Sequence, residues 1–308
     1  MNATRWVFVS MLPVVIACHA QASSAPDAGT DAGADAGAGT TPVFGTPERL
    51  TITGWDSDAM EPFISADEQL LLFNDSNSGP DTELHWARRT GPTTFAHQGL
   101  LAGANSTKLD GVPSLSDDGT LAFVSTRSYD QTASTLYRGH FDADGGVSLV
   151  ELIPGVSRNT PGIVEFDLEL SRDGATLIYV VSQFTGGKPS TADLFLADRD
   201  GQGFTPRADS ATLLAAVNTD ALEYAPALSR DGLELYFTRV ESTAVGAPPR
   251  ILVSTRASVT APFGAAQVLP TITGFVEGPT ISSDGRTLYF HKHDADHFAI
   301  YRALRQGL

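Results

Sequence analysis

One short pattern occurs five times in this chain of 308 residues and constrains its fold more than any other feature. Four copies read LSDDGTLAF, LSRDGATLIY, LSRDGLELYF and ISSDGRTLYF, and a more divergent copy reads ISADEQLLLF. The spacings between the serines of successive copies are 51, 55, 58 and 53 residues. A regular period of this length indicates a repeat architecture in which one structural unit recurs.

Each unit contains four segments rich in β-branched and aromatic residues, and turn residues separate them. The S-x-D-G pattern predicts a tight hairpin turn, because Ser and Asp side chains bond nearby backbone groups and Gly accepts a positive φ. We assign these residues a structural role, since a catalytic group is needed only once. The residues so assigned are Ser116, Asp118, Gly119, Ser171, Asp173, Gly174, Ser229, Asp231, Gly232, Ser282, Asp284 and Gly285.

A repeated four-stranded antiparallel unit of this size predicts an all-β fold, a five-bladed β-propeller. The structured part opens with VFGTPERLTI, which is similar to the fourth strand FGAAQVLPTI of a later unit. The chain closes with AIYRALR, a third strand. We therefore expect the N-terminal strand to join the last blade and to close the ring, which would remove open sheet edges.

The N-terminal region predicts export rather than folded structure. Residues 1–18 contain a short apolar segment that ends in Val15-Ile16-Ala17-Cys18, which resembles a bacterial lipobox with Cys18 as the lipidation site. The alternative is an ordinary signal peptide cut after Ala22. Residues 19–42 are dominated by Ala, Gly and Asp and predict a disordered tether, which leaves 43–308 for the propeller. We expect a lipid-anchored protein of the bacterial cell envelope, in the outer membrane and facing the periplasm or the exterior.

The composition narrows the range of partners. The net charge of −16 argues against nucleic acid, because phosphate binding requires Lys and Arg. The single cysteine rules out an intramolecular disulfide within the chain. We expect a monomer. We also expect no cofactor, since neither a P-loop nor a dinucleotide-binding pattern is present.

The pattern E-P-x-x-S-x-D-G resembles the WD40-like repeat of TolB-family propellers. It occurs as Glu61-Pro62-Phe63-Ile64-Ser65 and, more fully, as Pro226-Ala227-Leu228-Ser229-Arg230-Asp231-Gly232. The resemblance covers roughly residues 43–308 and implies an envelope propeller. TolB itself has six blades and an additional α/β domain, whereas this chain has five units, so the resemblance does not transfer the role of TolB.

Acidic residues precede the first strand of every unit. They are Glu61, Asp110, Glu165, Glu223 and Glu277, with Asp167 in addition in the third unit. In a propeller the first strands line the central channel, so these carboxylates would surround its mouth and could bind a cation such as Ca²⁺ or a cationic group. The alternative is that each carboxylate accepts hydrogen bonds from the backbone at its own strand entry.

The segment HKHDADH near the C-terminus could also bind a metal. His291 and His293 would project to the same side of an extended strand, and imidazole is a common ligand of transition metals. The spacing matches no known metal motif, and a polar hairpin is the alternative.

Two functions are compatible with this sequence. The favoured one is a non-enzymatic binding scaffold for an envelope protein or a glycan. The alternative is a glycoside-processing enzyme, a hydrolase or lyase that draws its acid and base from the carboxylates of the channel mouth.

Overall fold

The structure, a computed structural model, describes residues 41–185, 188–241, 248–295 and 297–307. The proposed signal peptide, Cys18 and all but the last two residues of the predicted tether lie outside the described residues. Within the described ranges, no helix has both the length and the apolar character needed to cross a bilayer.

The described residues form five small antiparallel sheets, each of which is one blade. The strands of blade one, from the centre outwards, are β3 (Met60–Ile64), β4 (Leu70–Asn74), β5 (Leu84–Arg89) and β6 (Thr94–Leu100). Those of blade two, in the same order, are β7 (Asp110–Leu115), β8 (Thr120–Ser125), β9 (Leu136–Phe141) and β10 (Val147–Leu152). Those of blade three are β11 (Ile163–Leu170), β12 (Thr176–Thr185), β14 (Asp193–Asp200) and β15 (Gly203–Pro206).

Blade four continues the same order with β16 (Leu222–Leu228), β17 (Glu234–Val240), β18 (Arg250–Thr255) and β19 (Gln267–Val268). Blade five consists of β20 (Val276–Ile281), β21 (Thr287–Asp294), β22 (His297–Leu304) and the N-terminal β1 (Glu48–Arg49). The remaining elements are β2 (Thr51–Thr53), which pairs in parallel with β6, β13 (Lys188–Pro189), α1 (Tyr129–Thr132) and α2 (Ser210–Leu213).

The innermost strands make the blades into a ring. β3 contacts β7, β7 contacts β11, and contacts continue through β16 and β20 back to β3. The all-β five-bladed propeller predicted from the repeats is therefore confirmed. β1 pairs with β22 over two residues, Glu48 with Arg302 and Arg49 with Tyr301. Whether the ring depends on this strand for closure stays a prediction, since the inner strands already contact one another around the ring.

The hydrophobic core is divided into five clusters, and each cluster lies between two neighbouring blades. Aromatic and aliphatic residues of the second and third strands supply most of it, and Phe73, Phe123, Tyr179, Phe237 and Phe290 are almost completely buried. This division explains the repeat, because each unit buries its apolar faces only against the next unit.

Four S-x-D-G turns and the corresponding turn of the divergent first copy, Ser65-Ala66-Asp67-Glu68, have one geometry. In each turn the serine Oγ donates to the aspartate Oδ1 two residues later, over 2.6–2.7 Å. The same Oδ1 accepts the backbone N–H two residues further along. These turns follow the ends of the first strands, whereas the predicted acidic residues lie near their beginnings. The structure thus places the turns at the opposite end of the channel from those carboxylates.

Candidate active site

Each innermost strand contains a β-bulge at the same level of the channel, where its pairing with the second strand shifts register. The residue at the bulge has a positive φ in every blade. These residues are Glu61, Val112, Asp167, Ala225 and Gly278, with φ between 45° and 62°. Bulges redirect side chains and are frequent beside active sites. Positive φ is uncommon for residues other than glycine, so the backbone is held in this form by its surroundings.

Three acidic side chains from three blades converge at this level. Glu61 lies in blade one, Asp167 in blade three and Glu277 in blade five, and their exposed fractions are only 7%, 6% and 8%. The fully buried imidazole of His291 lies between two of them. Its Nδ1 is 4.0 Å from Glu61 Oε1, and its Nε2 is 3.3 Å from Glu277 Oε2. Three carboxylates and one imidazole therefore form a single cluster, which we call the channel cluster.

Hydrogen bonds fix the imidazole in one orientation. The backbone N–H of Glu61 donates to Nδ1 of His291 over 3.1 Å, so Nδ1 acts as an acceptor. The neutral ring then carries its proton on Nε2, which donates to Glu277. Burial opposes protonation of His291, but the carboxylates of Glu61 and Glu277 raise its pKa above the ordinary value. Protonation at Nδ1 would break the bond from the Glu61 backbone, so this geometry fits the neutral ring.

Gly278 leaves room for this arrangement. A Cβ at this position would lie 2.6 Å from Glu61 Oε2 and 2.8 Å from Nδ1 of His291. Any side chain here would displace the carboxylate and the imidazole from each other. Glycine at the bulge of blade five is therefore a requirement of the channel cluster and not only of the backbone.

Other polar groups hold the remaining carboxylate oxygens. The hydroxyl of Tyr224 donates to Oε1 of Glu277, and the backbone N–H of Ala225 donates to Oδ2 of Asp167 over 2.9 Å. Nδ2 of Asn77 donates to Oε1 of Glu61 over 2.7 Å. Each carboxylate of the channel cluster thus keeps at least one ordered donor despite its burial.

Burial and mutual repulsion raise the pKa values of Asp167 and Glu61. Burial raises the pKa of Asp167 well above the ordinary value, and the charges of Glu61 and Glu277 add to the rise. The pKa of Glu61 is also raised, because burial and the Glu277 charge outweigh the attraction of His291 and the bond from Asn77. Carboxyl groups in one site with pKa values raised in this way can serve as proton donors at neutral pH.

The other three predicted carboxylates do not join the channel cluster. Asp110 accepts the backbone N–H of Ser106 over 2.5 Å and pairs with Arg127 over 2.7 Å. Glu165 accepts the N–H of Arg158 over 2.7 Å. These two carboxylates therefore hold the loops that enter their own strands.

Glu223 has the same role in blade four. It accepts the backbone N–H and the hydroxyl of Thr219 over 3.1 and 2.6 Å, and it pairs with Arg239 over 2.8 Å. Asp110, Glu165 and Glu223 all lie two residues before the bulge, whereas Glu61 and Asp167 occupy the bulge itself and Glu277 precedes it by one residue. The sequence alignment on carboxylates therefore mixed three different positions.

The two histidines proposed as metal ligands have different environments. His291 belongs to the channel cluster. The ring of His293 packs against Phe298, with 4.8 Å between ring centroids, and against Phe275. Among the described residues, the one group of three side chains placed to bind a metal together is Asp75, Glu83 and His85, and it includes neither of these histidines.

Below the channel cluster the channel is narrow. A cavity of about 20 Å³ is lined by Glu61, Phe63, Glu169 and four prolines, one in each of the first strands except that of blade three. This volume is sufficient for about one water molecule. A solute larger than water therefore does not fit in this cavity.

Sequence reasoning missed Tyr224, Asn77 and Glu169. In blades four and five the bulge residue, Ala225 or Gly278, directly precedes a proline. An alignment of the units on this residue would have shown that Tyr224 and Glu277 occupy the same position, one residue before the bulge. No sequence signal distinguishes Asn77, because it lies in a loop of polar residues between β4 and β5.

Comparisons with known proteins add the following. No protein-family model and no curated protein matches the sequence. Among solved structures, a thermostable family-43 glycoside hydrolase aligns with a TM-score of 0.57 at 10% identity, over 84% of this chain and 96% of that chain. Native arabinanase from Bacillus subtilis aligns with a TM-score of 0.55 at 14% identity, over 81% of this chain and 94% of that one.

TolB from Acinetobacter baumannii aligns more distantly. Its TM-score is 0.43 at 14% identity, over 81% of this chain but only 55% of the TolB chain. The β-propeller expected from the repeats is confirmed by the five sheets and the contacts between their innermost strands, and no argument rests on this alignment.

The favoured expectation of a non-enzymatic scaffold is contradicted by these comparisons. Solved structures that align at TM-scores above 0.5 and over more than 90% of their own length include a family-43 and a family-117 glycoside hydrolase and the catalytic domain of a GH62 α-L-arabinofuranosidase. The expectation relied on the absence of a catalytic sequence motif. A catalytic site assembled from side chains of three separate blades leaves no such motif, because its members are far apart in the chain.

Proposed function

We propose that this chain is a glycoside hydrolase whose acid and base are carboxylates of the channel cluster. The observation that carries the proposal is the convergence of Glu61, Asp167 and Glu277 from three blades, with His291 between Glu61 and Glu277. Glu61 and Glu277 contact opposite nitrogens of one imidazole, and the charges of both raise the pKa of Asp167, so the proposed acid, Asp167, and the proposed base, Glu277, interact within one site. The solved propellers described above support the same reaction class.

Asp167 is the candidate general acid. Its pKa is raised well above the ordinary value by burial and by the charges of Glu61 and Glu277, which favours the protonated form, and its Oδ2 already accepts the backbone N–H of Ala225. The proton therefore resides on Oδ1, from which it can be transferred to the oxygen of a glycosidic bond. The negative charge of Glu61 helps to keep this proton in place.

Glu277 is the candidate base or nucleophile. The Tyr224 hydroxyl and the Nε2–H of His291 both donate to it, and two such donors stabilise a carboxylate. In this role it would either activate a water molecule or attack the anomeric carbon, and the reaction product would show inversion or retention accordingly.

The test is a screen of chromogenic glycosides and polysaccharides, followed by the variants D167N and E277Q. Asparagine tolerates a positive φ, so D167N removes the acid without backbone strain. We expect both variants to lower kcat/KM by about 10²–10⁴-fold. D167N should lose much less activity on an aryl glycoside with a good leaving group, because that bond needs no protonation, whereas E277Q should lose activity on both.

A matched control is E151Q. Glu151 is a carboxylate in β10 whose side chain is 58% exposed and pairs with Arg138. This variant should retain full activity. Turnover that is unchanged in D167N and E277Q would overturn the proposal.

We also propose that the propeller, residues 43–308, is exported and held at the envelope by a lipid on Cys18, with residues 19–42 as its tether. The support is the lipobox-like sequence Val15-Ile16-Ala17-Cys18 and the Ala, Gly and Asp composition that follows it. We expect this placement to be at the outer membrane, with a glycan as the partner and the monomer as the active form. Mass spectrometry of the mature N-terminus tests this: a lipidated peptide beginning at Cys18 is expected, and an unmodified peptide beginning at Ser23 would contradict it.

A further inference from the structure

The loop between β4 and β5 closes on a group of three ligating side chains. Asp75 begins the loop, Glu83 ends it, and His85 follows in β5. One carboxylate oxygen of each acid and one nitrogen of the imidazole lie within 4.8 Å of one another. Two hydrogen bonds hold the ends of the loop together. The N–H of Glu83 donates to Oδ1 of Asp75 over 2.8 Å, and the N–H of Asp75 donates to the carbonyl oxygen of Glu83.

The imidazole of His85 supplies an independent sign of a ligand. The residue is only 5% exposed, and its Nε2 is a buried atom without a hydrogen-bond partner. The nearest carboxylate oxygen, Oδ2 of Asp75, lies 3.6 Å away, which is too far for a hydrogen bond. A buried polar atom left in this state destabilises the folded protein unless something binds it.

The second nitrogen of the His85 ring has a hydrogen-bond partner, as is usual for an imidazole that binds a metal. Nδ1 of His85 lies 3.1 Å from Nε2 of His97. If Nδ1 carries the proton and donates to His97, the lone pair of Nε2 points toward the two carboxylates. The rings of Trp55 and Phe73 pack against His85 at centroid distances of 4.4 and 5.5 Å and prevent it from turning. Second-shell bonds and packing of this kind orient metal ligands.

We propose that Asp75, Glu83 and His85 bind one divalent transition-metal ion of the Zn²⁺ type. Two carboxylates and one imidazole suit such an ion, whereas Ca²⁺ and Mg²⁺ prefer oxygen ligands alone. Three protein ligands leave at least one coordination position for water. The proposal is independent of the glycosidase assignment, because it concerns binding at a site outside the channel cluster.

A metal at this site would affect the loop between β4 and β5, which contacts the channel cluster. Asn77, which donates to Glu61, lies in the loop whose two ends are Asp75 and Glu83. A metal that joins these ends would stiffen the loop that carries Asn77. The ion would thereby stabilise the contact between this loop and the channel cluster.

The experiment is a calorimetric titration of Zn²⁺ into the full chain after treatment with a chelator and its removal. We expect one Zn²⁺ per chain, and we expect D75N and E83Q each to weaken binding at least tenfold. Co²⁺ in place of Zn²⁺ should give a visible absorption spectrum that H85Q abolishes. Circular dichroism checks folding, and E83Q remains decisive if H85Q does not fold, because the Glu83 side chain is only partly buried.

H140A is the control. His140 and Asp142 form an exposed histidine–carboxylate pair separated by 4.0 Å, and they lack a third ligand within the described residues. This variant should bind Zn²⁺ as the unmodified chain does. The proposal is overturned if the unmodified chain binds no Zn²⁺, if E83Q and D75N bind it equally well, or if H140A removes the binding.

Discussion

The guanidinium of Arg172 in blade three donates from Nη1 to the backbone carbonyl oxygen of Ile64 in blade one, over 2.8 Å. Its Nη2 donates to the carbonyl of Ile281 in blade five over 3.1 Å, and the group lies 4.6 Å from the ring centroid of Phe63. Both carbonyls belong to the last residues of innermost strands. One side chain thus links three blades at the end of the channel opposite the channel cluster.

Replacing Arg172 by methionine should destabilise the propeller by about 2–4 kcal/mol, because charge-assisted hydrogen bonds are lost and buried carbonyls lose their donors. Urea denaturation measures the loss. Arg230 is the matched control, since it occupies the same position of the S-R-D-G motif in blade four but its side chain is 53% exposed and pairs with Asp117. R230M should change stability by less than about 0.5 kcal/mol. Equal effects of both variants would contradict the proposed link.

The serine of an S-x-D-G turn should contribute about 1 kcal/mol to stability. Ser229 donates to Asp231 over 2.6 Å and accepts the N–H of Glu234 over 2.8 Å, so S229A removes two hydrogen bonds. Ser283 provides the comparison, because its buried hydroxyl has no hydrogen-bond partner. S283A should be neutral or slightly stabilising in thermal unfolding. A loss of stability in S283A as large as that in S229A would argue against this account of the turn.

The buried Glu169 should make stability depend on pH. Burial raises the pKa of Glu169 to about 8 despite the attraction of Arg172. In the unfolded chain this carboxyl loses its proton near its ordinary pKa, so between about pH 5 and 8 unfolding releases a proton. Stability therefore falls as pH rises through this window, by up to about 1.4 kcal/mol per pH unit.

E169Q removes this titration and keeps an acceptor for the N–H of Leu228, which donates to Oε1 over 3.0 Å. The stability advantage of E169Q over the unmodified chain should grow from pH 5 to pH 8 in urea denaturation. The stability of the exposed-carboxylate variant E151Q should depend on pH in the same way as that of the unmodified chain. The same pH dependence of stability in E169Q would show that Glu169 ionises in the folded protein as it does in water.

Asn77 should tune the pKa of Glu61. Its hydrogen bond favours the ionised form of that carboxyl, so N77A should raise the pKa of Glu61 further. We expect the carboxyl carbon of Glu61, followed by ¹³C NMR, to titrate at a higher pH in N77A than in the unmodified chain. S78A, a change in the same loop that leaves this bond intact, should not move the titration. An unmoved titration in N77A would show that the contact has no electrostatic effect on Glu61.

The sequence predicted the repeating parts of the molecule well, because they are local. The S-x-D-G turns combine a serine, an aspartate and a glycine within four residues, and each turn is closed by those residues themselves. The spacing of the copies then gives the number of blades, since each unit packs only against its neighbours.

The channel cluster was predicted only in part, because its geometry depends on bulges that the sequence does not mark. The positive φ falls on Val112 and Ala225 as well as on Gly278, and neither valine nor alanine indicates such a conformation. Asp110 and Asp167 have the same appearance in the sequence, that of an acidic residue near the start of a strand. Asp110 lies two residues before the bulge, whereas Asp167 lies at the bulge. His291 joined the cluster through its pairing with Glu277 across two strands, a contact that requires the register of β20 and β21.

The most direct test of the account is the rate of glycoside hydrolysis by D167N compared with the unmodified chain, on two substrates that differ only in the leaving group. We expect a loss of about 10²–10⁴-fold on the natural type of glycosidic bond and a much smaller loss on the activated aryl glycoside. Equal rates for D167N and the unmodified chain on both substrates would contradict the assignment of the channel cluster as the catalytic site.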